Sequence, residues 1–244
     1  VEQFIQCFAD ASGRNMTQFM RWYSQAGTPE VTVAGRFDTA RKTFILECSQ
    51  VVPATPGQPS KAPMVIPLSI GLVGKDGRDL VLKAADGRPL EGQTIVLAER
   101  TARFEFADVG ERPVLSINRS FSAPINLVTD LGTDDLAFLA THDSDPFNRW
   151  QALQIISMRL LLDNVAATRA GAPPRQDDRL AKALVAVLED STLEPAFAAL
   201  ALILPSEGDI AREIGKDIDP DAIFQARNAL RVELGERLDV PLTA

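Results

Sequence analysis

The segment THDSDPFNRW (Thr141–Trp150) contains the residues whose types come closest to catalytic groups, the adjacent His142 and Asp143. Such a pair could bind a metal ion in a phosphohydrolase, and a histidine beside an acid could also belong to a Ser-His-Asp triad. Phosphohydrolase chemistry of that kind requires several histidines, whereas His142 is the only histidine of the chain. No serine is distinguished as a nucleophile. The segment instead predicts a turn between two helices, with Asp145 capping the second helix.

Three side chains could act as soft metal ligands, namely Cys7, Cys48 and His142. They are too few and too widely separated for a structural zinc site, which needs a closely spaced set of ligands. Cys7 lies in an apolar helical stripe, and Cys48 alternates with strand residues. Both cysteines are therefore predicted to be buried free thiols, and they do not indicate a disulfide framework.

Two further patterns involve glycines and acids. GDIAREIGKD (Gly208–Asp217) is the nearest approach to a phosphate-binding loop, but six residues separate its glycines and an aspartate follows the lysine, where serine or threonine would bind magnesium. The acid pairs Asp134-Asp135 and Asp177-Asp178 are predicted to be helix N-terminal charges, which interact favourably with the macrodipole. The sequence therefore predicts no catalytic, cofactor-binding or metal-binding residue.

The composition bounds the class of protein and its partners. At 244 residues the chain is long enough for one large domain or two ordinary ones. Its 45% apolar and 24% charged residues are typical of soluble globular proteins. The net charge of −8 argues against nucleic acid and anionic membranes as partners. The longest apolar run has nine residues (196–204), fewer than the about 20 of a membrane span, and no signal-peptide pattern opens the chain.

Residues 1–26 are predicted to be helical, with a break at Gly13. The first helix carries an apolar stripe at spacings of three and four residues: Phe4, Cys7, Phe8 and Ala11. The second carries three aromatic residues: Phe19, Trp22 and Tyr23. Aromatic residues at helical spacing can form a ligand surface but more often pack in a core. Because these have few partners nearby, and because no N-cap precedes the first helix, we expect a further domain upstream in a longer polypeptide.

From Val31 to about residue 130 the hydrophobic period is that of β-strands. Two long segments place alternate residues on one face: Phe44, Leu46 and Cys48 in TFILECSQV, and Ile66, Leu68, Ile70 and Leu72 in MVIPLSIGLV. Shorter strands are predicted at TIVLA, RFEF, VLSI and FSAPINLV, with turns at KDGR (75–78) and ADGRP (85–89). PATPGQPSKAP (53–63) predicts an extended surface loop. Seven or eight short strands indicate an immunoglobulin-like antiparallel β-sandwich.

After Asp130 the pattern is helical to the end of the chain. Three stripes predict core-facing helix surfaces: Trp150, Leu153, Ile156 and Leu160; Leu180, Leu184, Val187 and Leu188; and Ile223, Ala226, Leu230, Leu234 and Leu238. Short linkers such as RAGAPPRQ (169–176) indicate antiparallel stacking in a bundle or solenoid. The predicted fold class is therefore mixed, β then α: a short helix pair (1–30), a β-sandwich (31–130) and an α-helical array (131–244).

The segment FADASGRNMTQFMRWYSQAGTPEVTV (Phe8–Val33) connects these elements to a known family. It closely resembles the junction in bacterial aminopeptidase N, or alanyl aminopeptidase, a family of gluzincin-type zinc metallopeptidases. In that family the last helices of a thermolysin-like catalytic domain end in Arg-Trp-Tyr-x-Gln-x-Gly-Thr-Pro, and a small β-sandwich and a large helical domain follow. RWYSQAGTP (Arg21–Pro29) matches that pattern in full.

Further motifs keep the family's order. PATPGQPSKAPMVIPLSIGL is similar to its proline-rich loop and the strand that follows, and FSAP (Phe121–Pro124) to the last strand of its sandwich. DPFNRWQA (Asp145–Ala152) resembles the entry to the helical domain. The resemblance covers nearly the whole chain. It implies that residues 1–30 are the C-terminal helices of the catalytic domain, 31–130 the sandwich, and 131–244 the N-terminal part of the helical domain.

The resemblance implies an activity for a longer parent protein. The family removes N-terminal amino acids from peptides, with zinc held by a His-Glu-x-x-His helix and a later glutamate; zinc polarises the scissile carbonyl and activates water. None of those residues lies in this chain, so we carry over no catalytic, metal or substrate residue and expect no zinc in it. We expect a non-catalytic internal segment of a cytoplasmic zinc aminopeptidase that links and spaces two domains. Its expected partners are the catalytic domain, the remaining helical domain and, for the parent, peptide substrates.

The alternative is a stand-alone, non-enzymatic β-sandwich with a helical adaptor that binds other proteins. The order of elements allows this reading. The uncapped start and the aromatic residues without partners favour a segment of a longer chain. The two hypotheses differ in one expectation: in a severed segment, Phe4, Phe8, Phe19 and Trp22 would form an exposed apolar patch of a kind that monomers rarely carry.

Overall fold

The computed structural model describes residues 1–85 and 90–243. They form two compact units, Val1–Asp130 and Leu131–Ala244. The first contains short helices and a β-sandwich, and the second is helical, so the predicted order of β then α structure is confirmed. The domain boundary expected near residue 30, between the helix pair and the sandwich, stays a prediction. The predicted ADGRP turn (85–89) lies almost entirely outside the described residues.

The first unit begins with two helices, α1 (Glu2–Ser12) and α2 (Arg21–Ser24). Helix α1 ends where predicted, at Gly13, whose φ of 65° places it in the left-handed region that glycine adopts without a Cβ clash. The second helix is short, as predicted, but it does not include Phe19, because residues 17–20 form a turn, before which Asn15 Oδ1 accepts a hydrogen bond from Thr17 N. Local side-chain bonds of this kind compete with helix formation.

Seven strands follow in the described residues: β1 (Glu30–Asp38), β2 (Thr43–Val51), β3 (Ile66–Val73), β4 (Thr94–Leu97), β5 (Thr101–Phe106), β6 (Val114–Ile117) and β7 (Asn126–Thr129). They form a four-stranded sheet in the order β5-β2-β1-β7 and a three-stranded sheet in the order β4-β3-β6. All the pairs are antiparallel except β1–β7, which is parallel. The predicted antiparallel sandwich is therefore confirmed, with one parallel pair at the edge of the larger sheet.

The sandwich core contains the two faces predicted from alternation. Phe44, Leu46 and Cys48 of β2 and Ile66, Leu68, Ile70 and Leu72 of β3 belong to one buried cluster. The predicted KDGR turn is present, with Gly74 N donating to Arg78 O at 2.8 Å. The proline-rich segment is a loop, as predicted, and it joins β2 of one sheet to β3 of the other.

The second unit consists of helices α3 (Thr133–His142), α4 (Pro146–Arg169), α5 (Asp178–Glu189), α6 (Pro195–Ala201), α7 (Glu207–Ile214), α8 (Pro220–Arg237) and α9 (Asp239–Thr243). Asp145 and Asp219 cap α4 and α8 as predicted, and each is followed by proline at the first helical position. The three predicted stripes face the core, and only Trp150 and Leu188 among them are less than fully buried. None of the helices in residues 1–85 and 90–243 combines the length and apolar character needed to cross a bilayer.

Candidate functional site at the start of the sandwich

The residues considered as metal ligands do not assemble into a site. Cys7 is exposed on α1, which corrects the prediction that it is buried, because its face of the helix has no partner in the described chain. Cys48 is buried in the sandwich, and burial raises the pKa of its thiol to about 11. His142 is exposed at the end of α3, where its ring lies 4.7 Å from that of Phe138. Within the described residues no group of three or more His, Cys, Asp or Glu side chains could hold a metal ion.

Two of the acidic residues singled out in the helical unit, Asp145 and Asp177, cap helices. Asp145 Oδ1 accepts a hydrogen bond from Asn148 N at 2.9 Å, which confirms its predicted capping role. Asp177 caps α5, and the Arg179 guanidinium holds the pKa of the Asp177 carboxyl below its ordinary value. The glycines considered for a phosphate loop flank a helix instead, since Gly208 lies in the first turn of α7 and Gly215 ends it. These groups stabilise the fold and form no reaction centre.

The densest set of long-range polar contacts lies between the N-terminal segment and the proline-rich loop. Four side chains from Gln18 to Gln25 donate hydrogen bonds to backbone carbonyls of residues 62–65. Trp22 Nε1 donates to Val65 O at 2.9 Å, and Gln25 Nε2 donates to Ala62 O at 3.0 Å. Gln18 also reaches Ala98 O at 2.6 Å. We name residues 61–65 the junction strand; it belongs to neither sheet, and its peptide groups are bonded by side chains and not by a neighbouring strand.

The residues after α2 contact the same loop. Gln58 closes a reciprocal pair, with Oε1 accepting from Ala26 N at 2.8 Å and Nε2 donating to Ser24 O at 2.9 Å. Lys61 Nζ donates to Ala26 O and, at 2.8 Å, to Thr55 Oγ1. Gly27 has φ of 94°, so the chain turns here in a conformation that favours glycine. Side chains of the Arg-Trp-Tyr-x-Gln-x-Gly pattern thus bind backbone groups of the loop, and side chains of the loop bind backbone groups of the pattern.

The junction strand is held on its other side by Gln50 of β2. Its Nε2 donates to Met64 O at 2.9 Å and to Glu99 O at 3.0 Å, while its Oε1 accepts from Met64 N at 2.8 Å. Gln50 is only 3% exposed, so these bonds lie inside the sandwich. Buried amides of this kind specify one arrangement of the chain, because any other leaves backbone groups unpaired.

This arrangement positions chain segments and has no chemistry of its own. Its polar groups are amides, a guanidinium, an indole, the Lys61 ammonium, the Thr55 hydroxyl and backbone groups, all of which bond chain segments to one another. Trp22 also packs against the sandwich core, which corrects the expectation that it belongs to an exposed patch. Phe4 and Phe8 remain exposed, by 63% and 51%, with their rings edge to face at 5.0 Å.

Sequence reasoning did not identify Gln18, Gln25, Gln50, Gln58 or Lys61 as members of one site. Each is a common surface residue type, and the contacting pairs lie far apart along the chain. The one usable signal was the position of two glutamines at helical spacing on either side of Trp22.

A conservative substitution tests the junction. Trp22→Phe removes the indole donor to Val65 O and part of the buried ring, and we expect the free energy of unfolding of the first unit to fall by about 1–2 kcal/mol. Tyr23→Phe is the control, because the 55% exposed Tyr23 is expected to change stability by less than about 0.5 kcal/mol. Urea unfolding followed by far-UV circular dichroism compares the two. Equal losses of unfolding free energy in the two variants would show that the hydrogen bond from the Trp22 indole does not contribute to stability.

Comparison with protein families supports the order of the two units. Residues 27–130 match a family described as "Domain of unknown function (DUF3458) Ig-like fold". Residues 133–244 match a family described as "Domain of unknown function (DUF3458_C) ARM repeats". The immunoglobulin-like sandwich followed by a helical array is therefore confirmed.

Curated relatives cover the whole chain. Aminopeptidase N of Caulobacter vibrioides is 44% identical over 243 residues, which is 98% of this chain and 26% of the relative. Aminopeptidase N of Escherichia coli is 37% identical over 244 residues, 100% of this chain and 28% of the relative. Aminopeptidase N of Haemophilus influenzae is 32% identical and covers 97% of this chain. The chain thus spans about a quarter of the length of these relatives.

A solved structure agrees in fold. The crystal structure of Legionella pneumophila aminopeptidase A in complex with aspartic acid superposes with a TM-score of 0.79 at 22% identity. The match covers 99% of this chain and 26% of that one. The fold of this chain is therefore found in part of another protein.

Proposed function

Because this chain belongs to the aminopeptidase N family and matches about a quarter of its relatives' length, we propose that it is a non-catalytic segment of a longer zinc aminopeptidase. The parent removes N-terminal amino acids from peptides in the cytoplasm. Within it, this segment links the catalytic domain to the helical domain and sets the distance between them. The parent's zinc site lies outside residues 1–244.

The observation that carries this proposal is the junction before the sandwich. A linker that only connects two domains needs no fixed geometry, whereas this one bonds four successive carbonyl positions, 62–65, to side chains on both sides. Contacts at this density hold the N-terminal helical segment in one position on the sandwich. Precise placement of a preceding domain is what a spacer in an enzyme must supply, because small displacements of catalytic groups are costly in rate.

The native polypeptide provides the test. We expect an antibody raised against this chain to precipitate, from the source cells, a protein several times longer than 244 residues with aminopeptidase activity that a zinc chelator removes. A native product of about this length without activity would support the stand-alone interaction module instead. A long product without chelator-sensitive activity would retain the spacer role and reject the zinc peptidase.

The chain by itself gives an independent prediction. Purified residues 1–244 are expected to contain well under one equivalent of zinc by atomic emission and to hydrolyse no aminoacyl amide, since a single histidine cannot form the family's two-histidine motif. The full-length protein, prepared in the same way, is the positive control. About one equivalent of zinc in the short chain, or turnover that survives repurification, contradicts the prediction.

A further inference from the structure

The linker between α4 and α5 (170–177) has the composition of a protease-sensitive segment. All but its last residue are exposed, and Pro173 and Pro174 lack the N–H that a helix or strand would use. Arg175 follows them, with a side chain that is 69% exposed, and Gln176 comes next. Proteases of trypsin specificity bind an arginine before the bond that they cut, through an aspartate in the S1 pocket. The bond between Arg175 and Gln176 is therefore a candidate cleavage site.

A buried amide closes this site. Asn164 lies in α4 and is only 1% exposed. Its Oδ1 accepts a hydrogen bond from Arg175 N at 2.6 Å, and its Nδ2 donates to Arg175 O at 3.0 Å. One side chain thus bonds both backbone groups of a linker residue, as the opposite residue of an antiparallel strand would. We call this reciprocal pair of hydrogen bonds the Asn164 clamp.

The clamp holds a group that cleavage requires. A serine protease must place the carbonyl of the bond that it cuts in its oxyanion hole, where hydrogen-bond donors bind the oxygen. For cleavage after Arg175 that carbonyl oxygen is Arg175 O, which already accepts a hydrogen bond from Asn164. The linker must therefore leave Asn164 before a protease can bind it. Opening breaks two hydrogen bonds and takes the partners away from a buried amide, which costs free energy.

The side chain of Arg175 is held less firmly than its backbone. Its Nη1 lies 3.0 Å from Asp163 Oδ2, but both side chains are more than half exposed. Exposed ion pairs of this kind contribute little to stability, since they interact through water and lose side-chain entropy. The clamp, and not the ion pair, is therefore expected to fix the linker.

We propose that the α4–α5 linker is a latent cleavage site for endopeptidases that cut after arginine, and that the Asn164 clamp keeps it closed. Hydrolysis adds one water molecule across the peptide bond, and it leaves a carboxylate on Arg175 and an amino group on Gln176. Cleavage there would divide the chain between α4 and α5 and leave both helices intact. The inference concerns the helical unit alone and does not depend on the proposed function.

Limited proteolysis of the 244-residue chain with trypsin tests the clamp. Asn164→Leu keeps the side-chain volume but has no amide. We expect cleavage after Arg175 to be at least about tenfold faster in this variant than in the unsubstituted chain, because local opening no longer breaks two hydrogen bonds. Asp163→Ala is the matched control from the same turn of α4, and we expect a change of less than about twofold. Mass spectrometry of the fragments identifies the bond that is cut.

The fragments also separate opening of the linker from loss of the fold. Opening of the linker alone gives fragments 1–175 and 176–244, whereas a variant that unfolds is cut as readily after Arg159 and Lys182, within α4 and α5. Equal rates of cleavage after Arg175 in the folded variant and in the unsubstituted chain overturn the proposal.

Hydrogen exchange gives a second measurement that needs no substitution, and it decides the matter if Asn164→Leu does not fold. In the unsubstituted chain we expect the amide hydrogen of Arg175 to exchange at least about tenfold more slowly than that of Gln176, after correction for their intrinsic rates, because the clamp binds the first. Similar exchange at the two positions would show that the linker opens freely, and it overturns the proposal.

Discussion

Replacing Gly71 by alanine is expected to lower the free energy of unfolding of the sandwich unit by about 3–5 kcal/mol. Gly71 lies in β3, and a Cβ placed there would be 2.0 Å from Arg119 Cζ and 2.3 Å from both terminal guanidinium nitrogens. The Arg119 side chain is only 7% exposed, and it forms a bidentate ion pair with Asp79 at 2.7 and 2.8 Å. The new methyl group must therefore displace a buried charge from its partner.

The cost is large because several hydrogen bonds fix the buried guanidinium in its position. Arg119 Nε also donates to Ser116 Oγ at 2.7 Å, so one displacement breaks three charge-assisted hydrogen bonds. Removing one partner of a buried pair leaves an uncompensated charge, which costs far more than the intact pair contributes to stability. The close packing of the Arg119 guanidinium on β3 therefore requires that residue 71 has no side chain.

Two comparisons separate this mechanism from a general effect of alanine in the sandwich. Gly110→Ala is the positional control: its Cβ meets nothing within 4 Å, and we expect a change of less than about 0.5 kcal/mol. In an Arg119→Met background, Gly71→Ala is expected to cost less than about 1 kcal/mol more, because the fixed guanidinium is gone. Urea unfolding followed by Trp22 fluorescence, with Trp150 replaced by phenylalanine, reports on this unit alone. A loss of the same size in both backgrounds would contradict the mechanism.

The second large effect is expected at Gln50. Gln50→Leu keeps the side-chain volume but removes every polar side-chain contact, leaving Met64 N–H and the carbonyls of Met64, Leu97 and Glu99 without this partner. Each buried orphaned group costs about 1–3 kcal/mol, so we expect the sandwich unit to lose about 3–4 kcal/mol. The junction strand would separate from β2, and the docking of Trp22 would weaken with it.

Gln18→Leu is the matched control for this prediction. Gln18 also donates to two carbonyls, those of Pro63 and Ala98, but its contacts are only partly buried. Water can replace the lost amide there, and we expect a cost of less than about 1 kcal/mol. The same fluorescence assay in the Trp150→Phe background applies. Losses of similar size at the two sites would mean that burial of the Gln50 amide is not what stabilises the junction.

The sequence by itself determined the elements and their order. Alternation at Ile66, Leu68, Ile70 and Leu72 identified the central strand of the small sheet, and stripes such as Ile223 to Leu238 identified the helix faces. Asp145 was identified as a helix cap from the proline that follows it. These features depend on residues close together in the chain, because strand and helix periods repeat every two to about four residues. The Arg21–Pro29 pattern likewise identified the family.

Only the tertiary structure decided which polar groups meet. Gln18 and Ala98 are separated by 80 positions and Arg119 and Asp79 by 40, and no local period encodes such pairs. The parallel pairing of β7 with β1, the docking of Trp22 and the exposure of Cys7 have the same origin. In each case the outcome depends on which distant surface covers a residue. A local sequence pattern predicts that one face of a helix or strand is apolar, but only the tertiary fold determines which residues pack against that face.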